Sequence, residues 1–211
     1  MKRYGTGCKK SKIDGTENIF KSNIALPSKF TLTPIMPPIL DQGATPRCVA
    51  FSLVTCLDFN KNLSENDNNG EQYNINELYN MRSDPHLDGM AIKDGLHILK
   101  HTGLKSTDNH RIYKIRSYAK VNSCVHLKSA LLLNGPCPVA LPVRSYDSKF
   151  WRGKDILGYH CVVITGFDEN GFEIRNSWGK SWGKNGYTYI SFDDFNDNII
   201  EIWTLFKYLN K

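Results

Sequence analysis

The 211-residue sequence contains no long apolar run. No stretch approaches the roughly 18 to 20 consecutive apolar residues that a membrane-spanning helix needs. The basic start of the chain is also not followed by the apolar segment of a secretory signal. We therefore expect no transmembrane segment, and an intracellular, cytoplasmic location.

The sequence also has no regular cysteine pattern. Its six cysteines stand at irregular spacing, and no Cys-x-x-Cys pair occurs. Without a secretory signal, this favours a reducing compartment with mostly free thiols. His97 and His101 share a helical face but have no HExxH glutamate and no third ligand nearby. A solvated helix face is therefore favoured over zinc, and no metal or cofactor is expected.

The composition is that of a globular protein, with 40% hydrophobic and 23% charged residues. The net charge is +6, and five basic residues crowd the start of the chain: Lys2, Arg3, Lys9, Lys10 and Lys12. We expect residues 1–30 to form a basic, flexible tail. A contact of this tail with nucleic acid or an anionic membrane is the weaker alternative, and no other nucleic-acid contact is expected.

Helix-like patterns come first and strand-like patterns follow. Helical spacing of apolar residues marks "RCVAFSLVTCLDF", "INELYNMR", "GMAIKDGLHILKHTG" and "VHLKSALLLNGP". Short β-branched and aromatic runs then appear in "PVALPV", "HCVVITGF", "GFEIRNSW" and "GYTYISF". This order predicts an α+β fold. We place the domain at 31–211, with a mainly helical lobe over about 40–108 and a mainly β lobe over about 109–211.

A set of residues suited to thiol catalysis is spread along the chain. Cys48 stands at the start of a predicted helix, where the helix dipole and free N–H groups favour a thiolate. Gln42, on the extended lead-in, offers an amide donor for an oxyanion. His160 and Asn176, on predicted strands, provide a base and a group to orient it. Taken singly, each also fits a structural reading, such as a packed cysteine or a surface amide.

Two segments resemble the papain family of cysteine peptidases. They are "QGATPRCVAFS" and "GYHCVVITGFDENGFEIRNSWGKSWGKNGYTYI". The resemblance implies a two-lobed fold, with a helical left lobe, an antiparallel β-barrel-like right lobe and the active-site cleft between them. By this resemblance Cys48 is the nucleophile, His160 its imidazolium partner and Asn176 the group that holds the ring. It also makes Gln42 the oxyanion donor and has Trp178 shield the His160–Asn176 hydrogen bond from water.

The sequence departs from that family around the nucleophile. Pro46 replaces a glycine that lets the substrate backbone approach in the family, so the resemblance does not define the S1 geometry of this chain. The family's substrate-side glycine pair is reduced to Gly89, which would pair with the substrate backbone. Arg47 adds a cation next to Cys48 in sequence, and we expect it to favour the thiolate if it faces the sulfur. No propeptide of the usual length fits into the first 30 residues, and the compact size suits a viral or microbial source.

The sequence thus predicts a monomeric cysteine peptidase that hydrolyses peptide bonds through an acyl-enzyme. Its expected partner is a peptide or protein bound in an extended conformation. Two alternatives remain at this point. One is a catalytically weak homologue that only binds peptides, and the other is an isopeptidase or acyl transferase that uses the same residues.

Overall fold

The computed structural model describes residues 3–65, 73–108 and 110–207. Its α-helices are α1 (Cys48–Glu65), α2 (Ile75–Asn80), α3 (Ile92–His101), α4 (Cys124–Asn134) and α5 (Phe192–Asn198), and a 3₁₀ turn covers Thr33–Ile35. The short strands are β1 (Cys8–Lys9), β2 (Phe30–Thr31), β3 (Met90–Ala91), β4 (Leu104–Lys105) and β5 (Ile112–Tyr113). The remaining strands are β6 (Ser117–Val121), β7 (Cys137–Val143), β8 (Gly158–Phe167), β9 (Gly171–Arg175), β10 (Tyr187–Ser191) and β11 (Glu201–Phe206).

A seven-stranded antiparallel sheet forms the second half of the molecule. Its strand order is β10-β9-β8-β7-β11-β6, with β2 added to one end of β8. The sheet is open, because β10 and β6 at its two ends are not paired with each other. Helices α1 to α3 precede this sheet in the chain, and α1 packs directly against β8. The predicted α+β architecture is therefore confirmed.

Helix α1 is the central element of the core. Apolar residues all along it are fully or almost fully buried: Val49, Ala50, Leu53, Val54, Leu57 and Phe59. A helix that is apolar on most sides must be covered on most sides, and α1 has α2 and α3 on one side and β7 and β8 on another. The amino-terminal residue of α1 is consequently held at the junction between the helices and the sheet.

The N-terminal residues, described from residue 3 onward, pack against the rest of the protein. Strand β1 pairs in parallel with β3, so Cys8 stands opposite Met90. Farther along, Phe20 is buried, and its amide donates to the carbonyl of Lys120 at 2.8 Å. The expectation of a flexible tail is wrong here. The crowding of basic residues suggested a solvated, mobile tail, but the partners of these residues are distant in the sequence.

Two features of the described residues bear on membranes and metals. No helix among them is both long and apolar enough to cross a bilayer. Within the same residues, no group of three or more His, Cys, Asp and Glu side chains is arranged to hold a metal ion.

Truncation of Leu53 should reveal how far the fold depends on α1. Leu53 is completely buried, whereas Leu63 on the same helix is 50% exposed. We expect Leu53→Ala to reduce the free energy of unfolding by about 2–5 kcal/mol, because it leaves a cavity in the core. Leu63→Ala, the matched control, should change it by less than about 0.5 kcal/mol. Urea denaturation of both variants measures the difference, and equal losses would show that α1 is not the central core element.

Candidate active site

Cys48 is the first residue of α1 and is completely buried. This position places its sulfur near the free N–H groups and the positive end of the helix dipole. The backbone amides around the sulfur, those of Cys161 and Gly7 foremost, favour the thiolate and so act to lower the pKa of the Cys48 thiol. Cys161 directly follows His160 on β8, so the thiol lies beside the strand that carries the predicted base.

His160 is held by Asn176 and covered by Trp178. Its Nε2 lies 2.7 Å from Asn176 Oδ1, and both residues are buried. The indole of Trp178 stacks on the imidazole with ring centroids 4.5 Å apart. Among the described residues, the other ring nitrogen, Nδ1, has no hydrogen-bond partner. Asn176 thus fixes the ring through one nitrogen and leaves the other nitrogen for proton transfer.

Ser177 connects Gln42 to this group. Its hydroxyl donates to Gln42 Oε1 at 2.6 Å, and its amide donates to Asn176 Oδ1 at 2.8 Å. With the Oε1 atom of Gln42 engaged as an acceptor, its Nε2 is directed as a donor toward Thr45 O at 2.8 Å and Gly5 O at 3.0 Å. Sequence reasoning assigned no role to Ser177, although it lies within the Asn-Ser-Trp motif.

The N-terminal segment from Tyr4 to Cys8, which we call the cleft segment, occupies the groove over these residues. The carbonyl of Gly5 accepts from Gln42, and the amide of Gly7 donates to Tyr159 O at 3.1 Å. The carbonyl of Gly7 in turn accepts from the amide of Met90 at 2.8 Å. Tyr4 stacks on Trp178 with ring centroids 4.7 Å apart. A peptide strand therefore lies across the site, and one of its carbonyls is bound by Gln42.

Both titratable groups of the site favour their neutral forms beneath the cleft segment. Burial raises the pKa of the Cys48 thiol to about 11, although hydrogen bonds from the amides of Cys161 and Gly7 oppose the shift. Burial also lowers the pKa of His160 to about 4, with the hydrogen bond to Asn176 acting against it. A thiolate–imidazolium pair is thus disfavoured at neutral pH while the segment is in place.

Gly89 and Arg47, the other residues singled out from the sequence, lie in different surroundings. Gly89 has φ +89°, donates its amide to the hydroxyl of Tyr79 and faces the carbonyl of Gly7. Arg47 is directed toward α2, where it donates to Asn76 Oδ1 at 2.5 Å and lies over the ring of Tyr79. The condition under which Arg47 would favour the thiolate is therefore not met, because its guanidinium has partners on α2.

Comparison with known sequences gives a consistent family assignment. The model of the papain family of cysteine proteases matches residues 54–205. Human cathepsin O is 38% identical over an alignment of 80 positions, which covers 30% of this chain and 23% of that protein. Cysteine proteinase 3 of Entamoeba histolytica is 25% identical over 215 residues, covering 86% of this chain and 68% of that protein. The match to cathepsin O thus spans less than a quarter of its length.

Solved structures show the same fold. The structure of xylellain, a cysteine protease from Xylella fastidiosa, superposes with a TM-score of 0.80 at 20% identity and covers 99% of this chain and 98% of that one. Procathepsin B S9 from Trypanosoma congolense superposes with a TM-score of 0.75 at 17% identity, covering 96% and 87% of the two chains. The predicted papain-like architecture is confirmed by both likenesses.

The double variant Gly5→Ala/Gly7→Ala should open the site. An added Cβ would lie 2.0 Å from Thr45 O at position 5 and 2.2 Å from Pro46 O at position 7, so the cleft segment must leave. Rehydration should lower the pKa of Cys48, and each unit raises the thiolate fraction at neutral pH about tenfold. We expect iodoacetamide to label Cys48 at least about tenfold faster at pH 7, as followed by mass spectrometry.

Thr6→Ala is the matched control, because it shortens a side chain of the same segment without adding an atom. Its labelling rate should stay close to that of the unmodified chain. An unchanged rate in the double variant would show that residues 5 and 7 do not keep reagents away from the sulfur.

Proposed function

Because this chain belongs to the papain family of cysteine proteases, we propose that it is a cysteine peptidase that hydrolyses peptide bonds through the thiol of Cys48. One observation carries the proposal. A peptide carbonyl, that of Gly5, is bound 3.0 Å from the amide nitrogen of Gln42, beside a cysteine at a helix N-terminus and a histidine oriented by an asparagine. These are the groups that activate a thiol and stabilise the oxyanion when a cysteine attacks a peptide carbonyl.

The chemistry begins when the cleft segment is displaced. Water then reaches the site, the burial that keeps both groups neutral is relieved, and the proton of Cys48 passes to His160. The sulfur attacks the carbonyl carbon of a bound peptide, and His160 returns its proton to the leaving amine. Water, deprotonated by His160, then hydrolyses the thioester and regenerates Cys48.

The remaining residues position these groups. Gln42 donates to the developing oxyanion, together with the backbone N–H of Cys48 at the start of α1. Asn176 holds the imidazole, and Trp178 shields that hydrogen bond from water. Gly89 leaves room for a substrate carbonyl next to the amide of Met90, the place now taken by Gly7.

The substrate we propose is a polypeptide in an extended conformation, bound between a helical lobe over about 40–108 and a β lobe over about 109–211. The cleft segment supports this, since it is bound through backbone hydrogen bonds to Gly43, Tyr159 and Met90 and continues into β1. Backbone bonds of this kind would hold many sequences equally well. Selection among substrates must therefore come from the walls of the groove.

Substitution of Cys48 should abolish turnover without unfolding the protein. Cys48→Ala replaces one small buried residue by another, so the fold should survive. Cys56→Ala is the matched control, because Cys56 is also buried on α1 but does not take part in the chemistry. We expect cleavage of a casein substrate to be lost only in the first variant, measured in both the native and the Gly5→Ala/Gly7→Ala backgrounds. Equal activity of the two cysteine variants would refute the proposal, and a protein that only binds peptides would show no cleavage in any background.

Substitution of Gln42 should affect kcat more than KM. Loss of one oxyanion donor typically costs about 10²–10³ in kcat, and we expect this loss for Gln42→Ala. Gln42→Glu should be worse, because it puts a negative charge where negative charge develops. Steady-state kinetics on a fluorogenic peptide measure both parameters, and kcat values near that of the native protein would exclude Gln42 as the oxyanion donor.

A further inference from the structure

The walls of the groove approach the cleft segment closely on one side. An added Cβ at Gly5 would lie 2.0 Å from Thr45 O, and one at Gly7 would lie 2.2 Å from Pro46 O. Real Cβ contacts are essentially never this short, and the obstructing atoms belong to the backbone. Thr6, between the two glycines, lies instead against Gly158, where an added Cβ would come within 2.5 Å of its hydroxyl. Gly5 and Gly7 therefore face the backbone of Thr45 and Pro46, which we call the wall. The wall leaves no space for a side chain at either position.

This wall is tied to the catalytic machinery and cannot recede freely. The carbonyl of Thr45 accepts from Gln42 Nε2, and the amide and hydroxyl of Thr45 both donate to Gln42 O, at 3.2 and 2.7 Å. The next residue is Pro46, whose ring fixes its φ angle. If the wall moved outward, Gln42 would lose the contact that directs its amide.

The depth of the bound strand is fixed as well. Hydrogen bonds join Gly5 to Gly43 and Gln42, and Gly7 to Tyr159 and Met90. Gln42 and Gly43 adjoin the wall in the chain, so a strand that shifts away from the wall loses its hydrogen bonds to these two residues. Any extended chain that uses the same donors and acceptors meets the same two obstructed positions.

We propose that the groove selects polypeptides with glycine at the two wall-facing positions, so that the preferred substrate carries a Gly-Xaa-Gly segment across Cys48. The proposal rests on the function proposed above and adds the substrate class. It does not depend on the direction in which the substrate runs, because Gly-Xaa-Gly reads the same both ways. The middle of the cleft segment, Gly5-Thr6-Gly7, has this sequence.

The test compares internally quenched peptides that differ only at the two positions. One contains Gly-Thr-Gly, one Ala-Thr-Ala, and two more carry a single alanine at either position. They are assayed with the full chain and with the Gly5→Ala/Gly7→Ala variant, alongside casein. Since overpacking of a fixed site costs enough to change rates about 10- to 100-fold, we expect kcat/KM for Ala-Thr-Ala to be lower by at least that factor.

A wall variant provides a second readout. Pro46→Gly frees the φ angle of the wall residue, so the Gly-Thr-Gly to Ala-Thr-Ala ratio of kcat/KM should fall toward one even if both rates change. Pro34→Gly, at an exposed proline of the 3₁₀ turn, is the control and should leave the ratio unchanged. An unchanged ratio in Pro46→Gly would overturn the assignment of this wall as the selecting element.

The outcomes separate the two proposals. Equal or faster cleavage of Ala-Thr-Ala, or cleavage of casein without cleavage of Gly-Thr-Gly, would overturn the glycine selectivity and leave the peptidase function standing. A failure to cleave casein and all four peptides, in both forms of the protein, would overturn the peptidase function and the selectivity with it.

Discussion

A continuous series of hydrogen bonds orders the site, running from Gln42 through Ser177 and Asn176 to His160. Asn176 Oδ1 meets both the imidazole of His160 and the amide of Ser177, so its orientation is set from two directions. Because the series crosses from the lead-in of α1 to the end of β9, it also joins the helices to the sheet. Each oriented group depends on its neighbour, and hydrogen bonds that are linked in series strengthen one another.

The residues that lie together at the site could be located from the sequence because they belong to short, distinctive motifs. Cys48 follows Gln42 at a fixed short spacing, and Asn176 belongs to an Asn-Ser-Trp segment. Helix α1 was also predictable, since its apolar residues are dense and it contains no breaker. In these cases the information that determines the structure lies within about 20 neighbouring residues.

Other features could not be predicted because they depend on contacts between distant residues. Gly5 meets Gln42 across 37 positions, and Ser177 meets the same residue across 135. Nothing near Gly5 in the sequence indicates that a backbone carbonyl will stand 2 Å from its missing Cβ. The direction of Arg47 was likewise left open by its adjacency to Cys48, because its partner, Asn76 on α2, lies 29 positions away in the sequence.

The N-terminal chain is attached at more than one place. Beyond the cleft segment, Lys93 binds the carboxylate of Glu17 and the hydroxyl of Ser11. The amide of Phe20 donates to the carbonyl of Lys120, and β2 pairs with β8 in the sheet. If the cleft segment leaves the groove, these outer attachments still tether it close by. It then competes with any other peptide at an effective concentration set by the tether, about millimolar for a short flexible linker. Dilution of the protein does not change this effective concentration, because the competitor belongs to the same molecule. The fraction of grooves that the cleft segment occupies should therefore not depend on the protein concentration.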